Sequence, residues 1–372
     1  MSLSLVPAPV AALPWRMLWI VIALGSVGVA SLYSVAGGSL SPWAWQHAVR
    51  FSVFLVLAVG FSYMRPHYFH DQAILGYVGG IFLLILTLIL GTIGGGARSW
   101  LELGFLRLQP SELMKPIIVL CLARFYARIP PREIRKWSAI WPVGVILGPP
   151  FALILLQPDL GTTMLIVLNT VSLMFLAGLP LRLFIGSGLA LGAALPAVYW
   201  FLLLPHQQER VLIFLNPEAD PLGAGYHLTQ SKIAIGSGGL FGKGYLNGTQ
   251  ATLDFLPEPH TDFIYSAIAE EWGLAGGLVL ILLFFMLLQW GMRVSLDAKD
   301  RFMRLTAAGM TLTIFFYIAI NLMMIMGLAP VVGIPLPLVS YGGSAMLTTM
   351  ICLGILMSID RCSRRDRPGR NL

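Results

Sequence analysis

The stretch FLPEPHTDFIYSAIAEEWG, residues 255–273, places five titratable side chains at the beginning of an apolar segment: Glu258, His260, Asp262, Glu270 and Glu271. Asp262 could take a proton from a hydroxyl nucleophile as a general base, and His260 is the rival candidate for that role. A neighbouring Glu258, or low local polarity, would raise the pKa of Asp262 into the working range of a base. Capping of the following helix is the simpler explanation for Thr261 or Asp262.

Glu270 and Glu271 need a different explanation, because they lie eight and nine residues after Asp262. That separation is about 12 to 14 Å along a helix, and at about 100° per residue the two Glu side chains lie roughly 80° and 180° around from Asp262. The three carboxylates could share one site only if the helix were enclosed on several sides. A carboxylate at membrane depth must face protein or water, be paired, or be protonated. The simplest explanation for both Glu side chains is a buried polar lock to neighbouring helices.

A second polar cluster occupies GGGARSWLELGFLRLQPSELMKP, residues 94–116. Ser111 can cap the helix that follows, and Pro116 would kink that helix by removing the bond to the Glu112 carbonyl. Glu112 and Lys115 are three residues apart and share one helix face. An ion pair at the end of a membrane helix is either a structural lock or part of a substrate cavity, and both interpretations place it inside the bundle.

Two further motifs allow a structural and a functional interpretation. In IGSGGLFGKGYLNGTQ, residues 235–250, the nucleotide P-loop pattern fails, because Ser237 stands where its first Gly belongs and Gly244 where a Ser or Thr should follow Lys243. The glycines provide tight turns, or backbone N–H groups and Lys243 face a ligand phosphate. Asp159, in LQPDLGTT, either caps a helix or contacts substrate.

The composition requires a membrane environment for these clusters. The chain has 372 residues, of which 57% are hydrophobic and 11% charged, and its mean hydropathy is +0.80. Because unpaired backbone groups are costly in lipid, the long apolar runs should be helices. The sequence predicts an all-α polytopic membrane protein, a single domain over residues 1–372, with about ten transmembrane helices. These cover residues 17–36, 48–64, 74–93, 111–127, 138–156, 160–179, 183–204, 263–292, 305–326 and 343–359.

One connection is long: residues 205–262, a large loop between the seventh and eighth helices. It is too apolar for simple disorder, so we expect it to fold back on the bundle or into the membrane interface. The distribution of Lys and Arg places both termini in the cytoplasm and this loop outside. The strongest clusters on the inner side are Arg124, Arg128, Arg132, Arg135 and Lys136, and in the tail Arg361, Arg364, Arg365, Arg367 and Arg370.

Topology and anionic lipid therefore explain the net charge of +7, and no base-stacking or basic-groove pattern indicates nucleic acid. The three cysteines, Cys121, Cys352 and Cys362, are not placed for an extracytoplasmic disulfide or a metal site.

Five motifs, in order along nearly the whole chain, give it a family resemblance. They are GGARSWLELGFLRLQPSELMK, LLQPDLGTT, FLNPEADPLGAGYHLTQSKIAIGSGGLFGKG, DFLPEPHTDFIYSAIAEEWG and GLAPVVGIPLPLVSYGGS. The chain resembles the SEDS family (shape, elongation, division, sporulation), and GKGYLNGTQATLDFLPE favours its elongation branch over its division branch. The resemblance implies a ten-helix peptidoglycan glycosyltransferase that polymerises lipid II on the outer face of the bacterial cytoplasmic membrane. It also implies that Asp262 is essential, that Trp100 belongs to the site, and that the partners are a class B penicillin-binding protein and other elongation-machinery proteins.

That reaction would expel a polyprenyl pyrophosphate, a stabilised anion that needs positive charge rather than a proton. The candidates are Arg98, Lys115, Arg210, Lys232 and Lys243, with Arg210 and Lys115 ranked first, or a divalent cation, Mg²⁺ or Mn²⁺, held by carboxylates. Glu112, Trp100, Asp159, Glu258 and His260 complete the predicted substrate-binding set. Hydrophobic grooves between helices would hold the polyprenyl tails. Two alternatives stay open, a lipid II flippase and a non-catalytic scaffold; the first should show an internal repeat and mid-membrane sites, which the sequence does not reveal.

Overall fold

Among the described residues, ten long helices overlap the ten apolar runs. The computed structural model describes residues 13–94, 97–103, 106–201, 208, 212, 224–253, 255–256 and 258–365. In chain order the helices are α1 Trp15–Val35, α2 Trp43–Tyr63, α3 Pro66–Leu90, α4 Pro110–Arg128, α5 Trp141–Leu155, α6 Leu160–Ala177, α7 Leu181–Phe201, α8 Ala224–Ser237, α9 Thr249–Thr252, α10 Ile264–Asp297, α11 Arg301–Ile325 and α12 Gly343–Arg365. Helices α8 and α9 belong to the long connection. Among the described residues, eight helices are long and apolar enough to cross a membrane; α4 and α7 are not among these eight.

Several helices extend beyond their apolar runs. Helix α2 begins at Trp43 instead of residue 48, and α3 begins at Pro66 instead of residue 74. Proline is favourable at the first helical position, because its fixed φ suits the helix and its missing N–H would have no partner there. Hydropathy detects only the part of a helix that lies in lipid, so these polar first turns were not predicted.

A small antiparallel sheet joins α3 to α4 and was not predicted. Its strands are β1 Thr92–Gly94, β2 Ala97–Leu103 and β3 Leu106–Leu108, in the order β1-β2-β3. In the register of β1 and β2, Trp100 lies opposite Thr92. We call the end of the bundle that carries this sheet the sheet end; α4, α6, α10 and α12 all begin there. The other end, where the 124–136 cluster lies, is the basic end.

Helix α11 lies at the centre of the bundle, against α4, α6, α10 and α12. Gly309 makes the close approach to α4 and α6 feasible, because a Cβ at that position would collide with Val119 and Leu173. Small residues allow membrane helices to pack at short distance where the hydrophobic effect supplies no force between them. Polar side chains on α11 consequently reach groups on several neighbouring helices.

In its described part, the long connection packs against the bundle. Helix α8 packs against α10 and α11. The Ser231 hydroxyl lies 2.7 Å from the Ser266 hydroxyl on α10 and donates to the Ile325 carbonyl on α11 at 2.9 Å. Hydrogen bonds between polar side chains of neighbouring helices are a common means of association in membranes.

Helix α10 is broken at Gly273, and the glycine-rich loop, residues 236–244, fills the break. Gly273 has φ 67° and ψ −166°, a conformation that is essentially restricted to glycine. Backbone bonds from both sides of the break run to the glycine-rich loop: Leu274 N to Gly239 O at 2.9 Å, Ala275 N to Leu240 O at 3.0 Å, Lys243 N to Glu270 O at 2.9 Å and Gly244 N to Glu271 O at 3.0 Å. The loop therefore satisfies groups that the broken helix leaves without partners.

Candidate active site

Asp262 lies at the sheet end, in the turn that leads into α10. The prediction that Thr261 or Asp262 caps this helix is wrong: the N-cap residue is Phe263, whose own side chain forms no cap bond. The Thr261 hydroxyl donates instead to Glu258 Oε2 at 3.1 Å, within the turn. The turn therefore continues through Phe263 before the helix begins.

The backbone of Asp262 is held by α11 and by residues 327–342, which we call the cover segment. Asn321 is fully buried, and its Nδ2 donates to the carbonyl oxygens of Asp262 at 2.9 Å and Ile334 at 2.7 Å. Gly333 of the cover segment has a φ of +70°, and a Cβ built there would lie 3.5 Å from Asp262 Oδ2. One buried amide therefore holds the backbone of Asp262, and its carboxylate is flanked by a backbone conformation that glycine adopts without strain.

His260 is fixed by stacking and by its backbone. Its ring lies 4.3 Å from the Trp43 ring at an interplanar angle of 11°, and its carbonyl accepts from Tyr341 N at 2.8 Å. Its Nε2 is 3.5 Å from Glu258 Oε2. Burial lowers the pKa of His260, and the nearby Glu258 carboxylate opposes that shift. The neutral imidazole is favoured as a result, so His260 keeps the chemical capacity of a proton acceptor.

Arg50 and Tyr341 are residues of this site that the sequence analysis did not single out. The Arg50 guanidinium lies 4.9 Å from the centre of the Tyr341 ring, a cation–π contact, and its Nη2 donates to Gln46 Oε1 at 3.3 Å. The Tyr341 hydroxyl donates to the same Gln46 oxygen. Gln46 and Arg50 are four residues apart on one helix face, and this spacing is the one sequence signal that could have indicated their contact.

Glu112 and Lys115 form a buried ion pair inside the bundle, as both interpretations of the sequence required. Lys115 Nζ donates to Glu112 Oε1 at 2.6 Å and to the Tyr317 hydroxyl at 2.7 Å, and it lies 4.4 Å from the centre of the Tyr317 ring. The Tyr317 hydroxyl donates to Glu112 Oε2, which closes a three-membered network. Tyr317 gave no signal in the sequence, because an aromatic residue in an apolar helix normally belongs to the core.

Asp159 joins α6 to the beginning of α4. It caps α6, with Thr162 N donating to Oδ1 at 2.9 Å, and its Oδ2 accepts from Gln109 Nε2 at 2.8 Å. The prediction that Ser111 caps α4 is wrong, because Gln109 occupies the N-cap position and Pro110 follows at the first helical position. Ser111 Oγ instead lies 3.5 Å from Asp159 Oδ2.

These groups form two layers joined by α11. On α11, Tyr317 belongs to the Glu112–Lys115 network, whereas Asn321 holds the backbone of Asp262. Tyr317 and Asn321 are one helical turn apart, about 6 Å along the helix axis. The layers lie on one face of α11. The structure thus brings Asp262, His260 and Glu258 together in the outer layer and places Glu112, Lys115 and Asp159 at or near the deeper one.

The remaining predicted cations lie elsewhere or outside the described residues. Lys243 Nζ pairs with Glu270 Oε1 at 2.6 Å, where it belongs to the glycine-rich loop. Lys232 is exposed on α8 beside Gly327. Arg210 lies outside the described residues, as does the side chain of Arg98, whose backbone lies opposite Ile93 in the sheet. Across the described part of the chain, no group of three or more His, Cys, Asp or Glu side chains could hold a metal ion.

The two Glu residues of α10 are buried and contact different neighbours. The Glu270 carboxylate accepts from Lys243, from the N–H and hydroxyl of Thr249, and from Gln250 N. Glu271 accepts from the Ser34 hydroxyl on α1. The two side chains therefore do not share the Asp262 site, which agrees with their angular positions on the helix.

Fold and site together define a class: a polytopic helical membrane protein with a titratable cluster at one end of the bundle and a buried ion pair beneath it. Residues 11–365 match the family described as Cell cycle protein, whose model is named for FtsW, RodA and SpoVE. The chain belongs to this family, the one that its motifs resemble.

One relative, "Peptidoglycan glycosyltransferase MrdB" of Escherichia coli (strain K12), is 43% identical over 346 residues, 92% of each protein. A solved structure described as "Structural coordination of polymerization and crosslinking by a peptidoglycan synthase complex" has a TM-score of 0.82 at 31% identity and covers 95% of this chain and 99% of that one. The crystal structure of the rod shape determining protein RodA of Thermus thermophilus has a TM-score of 0.70 at 28% identity, over 96% of this chain and 98% of that one.

Proposed function

We propose that this protein is a peptidoglycan glycosyltransferase, which joins the disaccharide units of lipid II into glycan strands. The observation that carries the proposal is the 43% identity over 92% of the chain to a relative of that name, in a fold whose helix α11 holds the backbone of Asp262 one turn from the buried Glu112–Lys115 pair. A role in rod-shape elongation is supported by the likeness to RodA, and the division branch is less favoured.

Asp262 is the general base of the proposed reaction. A bond forms between a sugar hydroxyl of one lipid-linked unit and the anomeric carbon of the other, while the bond from that carbon to the pyrophosphate oxygen breaks. The hydroxyl proton goes to the Asp262 carboxylate, and the polyprenyl pyrophosphate leaves as an anion. Positioned general bases typically contribute about 10²- to 10⁴-fold in rate. The buried Asn321 amide keeps the backbone of Asp262 in place for this transfer.

Positive charge for the leaving pyrophosphate comes from the cations around the site. Lys115 is offset by Glu112 at 2.6 Å, so its net contribution is small unless the pair opens. Arg50 lies near Tyr341 at the sheet end and makes no ion pair with a described residue. Arg210, ranked high from the sequence, remains a proposed contact. A divalent cation, if it takes part, would need Asp262 and oxygen ligands from the substrate.

The sheet end faces the outside of the bacterial cytoplasmic membrane in this proposal, and both termini lie inside. The basic end then carries the arginines at the ends of α4 and α12, as the positive-inside rule requires. This orientation brings Asp262 to the leaflet in which lipid II becomes available. A class B penicillin-binding protein, which would crosslink the strands, is the proposed partner, together with other elongation proteins. The likeness to a synthase complex that coordinates polymerization with crosslinking supports this pairing.

Polymer formation from purified lipid II by the detergent-solubilised protein tests the proposal, alone and with a cognate class B penicillin-binding protein. Wild type should form long glycan chains in at least one of these conditions, and Asp262→Asn should form none while remaining folded. Asp71→Asn, the same change at an exposed position of the basic end, is the matched control and should retain activity. Polymer from Asp262→Asn would remove the general-base assignment. Lipid II crossing liposome bilayers without polymer in any condition would indicate a flippase instead.

A further inference from the structure

A cavity of about 460 Å³ opens at the basic end, far from the Asp262 site. It lies between α3, α4 and α5 and is lined mainly by apolar side chains, with two arginines among them: Ile74, Tyr77, Cys121, Arg124, Phe125, Arg128, Ile129 and Ile146. Ligand cavities in proteins typically have volumes of about 300 to 1,000 Å³ and combine apolar walls with a few polar groups. The volume and the lining both fit an amphiphile.

Arg124 lines one side of the cavity, and its guanidinium has an N–H group without a hydrogen-bond partner. Its Nη1 donates to the carbonyl oxygens of His70 at 2.6 Å and Asp71 at 3.1 Å, whereas its buried Nε has no hydrogen-bond partner. A guanidinium has five N–H donors in a planar fork that matches a phosphate. The Asp71 carboxylate contacts His70 Nδ1 at 2.9 Å and interacts with Arg124 only through its charge, without an ion pair among the described contacts.

Arg128 lies one turn further along α4, at the last residue of the helix. It is exposed, and no described residue accepts a hydrogen bond from it or forms an ion pair with it. An arginine at a helix end can extend its charge to the membrane surface without any cavity beside it, so that role does not account for the cavity next to Arg128. Here two arginines flank an apolar cavity on the same face of α4, which is the arrangement that complements an anionic headgroup joined to an acyl chain.

We propose that this cavity is a binding site for an anionic glycerophospholipid. One acyl chain occupies the apolar space between Ile74, Tyr77 and Ile146, and the phosphate binds Arg124 and Arg128. Basic pockets between transmembrane helices are a recognised means of binding anionic lipid headgroups. A polyprenyl pyrophosphate bound at Asp262 has its headgroup at the opposite end of the bundle, so this site is separate from the reaction. The proposal does not depend on the proposed activity.

Lipid binding to the detergent-purified full-length protein, measured by native mass spectrometry, tests the proposal. Dioleoyl phosphatidylglycerol and dioleoyl phosphatidylcholine have the same chains and differ in headgroup charge, so wild type should prefer the first. Arg128→Gln should weaken phosphatidylglycerol binding about fivefold, the loss expected for one basic residue near an anionic lipid, and leave phosphatidylcholine binding unchanged. Arg135→Gln makes the same charge change outside the cavity and should have less than about a twofold effect.

Filling the cavity tests the acyl-chain half of the site. Ile74→Trp should weaken binding of both lipids, and Ile89→Trp, at another exposed position of the same helix, should weaken neither. Glycerol 3-phosphate, a headgroup without chains, should not compete with phosphatidylglycerol. Equal effects of Arg128→Gln and Arg135→Gln would indicate diffuse surface attraction and overturn the proposal. So would Ile74→Trp that binds like wild type, or polyprenyl phosphate that displaces phosphatidylglycerol in preference.

Discussion

Removing Lys115 leaves the Glu112 carboxylate buried with only the Tyr317 hydroxyl as a described donor. The side chains of Lys115 and Glu112 are 2% and 7% exposed and their charged atoms are 2.6 Å apart. Breaking a buried pair by removing one partner typically costs about 3 to 5 kcal/mol, because the other charge stays uncompensated. Lys115→Met should therefore lower the free energy of unfolding by about that amount. In the double variant with Glu112→Gln, which removes the stranded charge, we expect most of the loss to be recovered.

The chain contains a matched control for this cycle. Glu133 and Lys136 have the same spacing and a distance of 2.9 Å between charged atoms, but their side chains are 48% and 62% exposed. Lys136→Met should cost less than about 1 kcal/mol, since exposed pairs contribute little. Unfolding in mixed micelles, followed by the fluorescence of the 10 tryptophans, measures both cycles. Equal losses at the two sites, or a double variant as unstable as the sum of its single changes, would refute the reasoning.

The same variants separate a structural from a catalytic role of the pair. If the pair only locks the bundle, the double variant should regain polymer synthesis together with stability. If Lys115 also contacts the pyrophosphate, stability returns while synthesis stays low. Measuring both quantities on each variant distinguishes the two outcomes.

Three further predictions concern the break in α10, the α6 cap and His260. Gly273→Ala should destabilise the protein by roughly 1 to 3 kcal/mol or more, because the φ of 67° and ψ of −166° at this position suit only glycine. The control Gly79→Ala, which has open space around it, should change the free energy of unfolding by less than about 1 kcal/mol, and equal shifts in the thermal unfolding temperature of the two variants would contradict the account of the break. Asp159→Ala should lower the free energy of unfolding by about 1 kcal/mol and Asp159→Asn by much less, since an Asn side chain can also accept the hydrogen bond from Thr162 N. If Asp159→Asn reduces activity more than it reduces stability, Asp159 also contacts the substrate. Burial lowers the pKa of His260 below its ordinary value of 6.5, so just below pH 6.5 the unfolded chain binds more protons than the folded one, and the free energy of unfolding should fall as the pH drops from 6.5 towards the folded pKa. Unfolding measured at a series of pH values should show a smaller decline for His260→Gln than for wild type, and an unchanged decline would exclude His260 as its source.

Local composition was sufficient to predict the helices but not their polar ends. In the described part of the chain, apolar runs located ten long helices, because a long hydrophobic segment in lipid can satisfy its backbone groups only as a helix or in a closed barrel. The first turns of α2 and α3 were missed, since hydropathy carries no information about helix that extends into the headgroup region or beyond. The sheet at residues 92–108 was missed because three short strands do not stand out beside two long apolar helices.

The site was predicted only where its members are close in sequence. Glu112 and Lys115 were paired from their spacing, and the independent roles of Glu270 and Glu271 followed from helix angles. Tyr317 and Asn321, in contrast, contact residues roughly 60 to 200 positions away, and only the packing of α11 brings them there. Cap assignments failed at Ser111 and Asp262 because the preceding turn, and not the side chain alone, decides which residue occupies the N-cap position.

The break at Gly273 also sets the height of the carboxylates relative to the bilayer. Helix α10 has 34 residues, about 51 Å at 1.5 Å per residue, whereas the hydrocarbon layer is about 30 Å thick. The part that follows the break, residues 274–297, is about 36 Å long and crosses that layer unaided. With residues 274–297 across the hydrocarbon, residues 264–272 would stand above it on the sheet side, where Glu270 and Glu271 are buried in protein. In that arrangement the two charges would escape the cost of insertion into lipid, and Asp262 would lie at the level of the sugar headgroups of the proposed substrate.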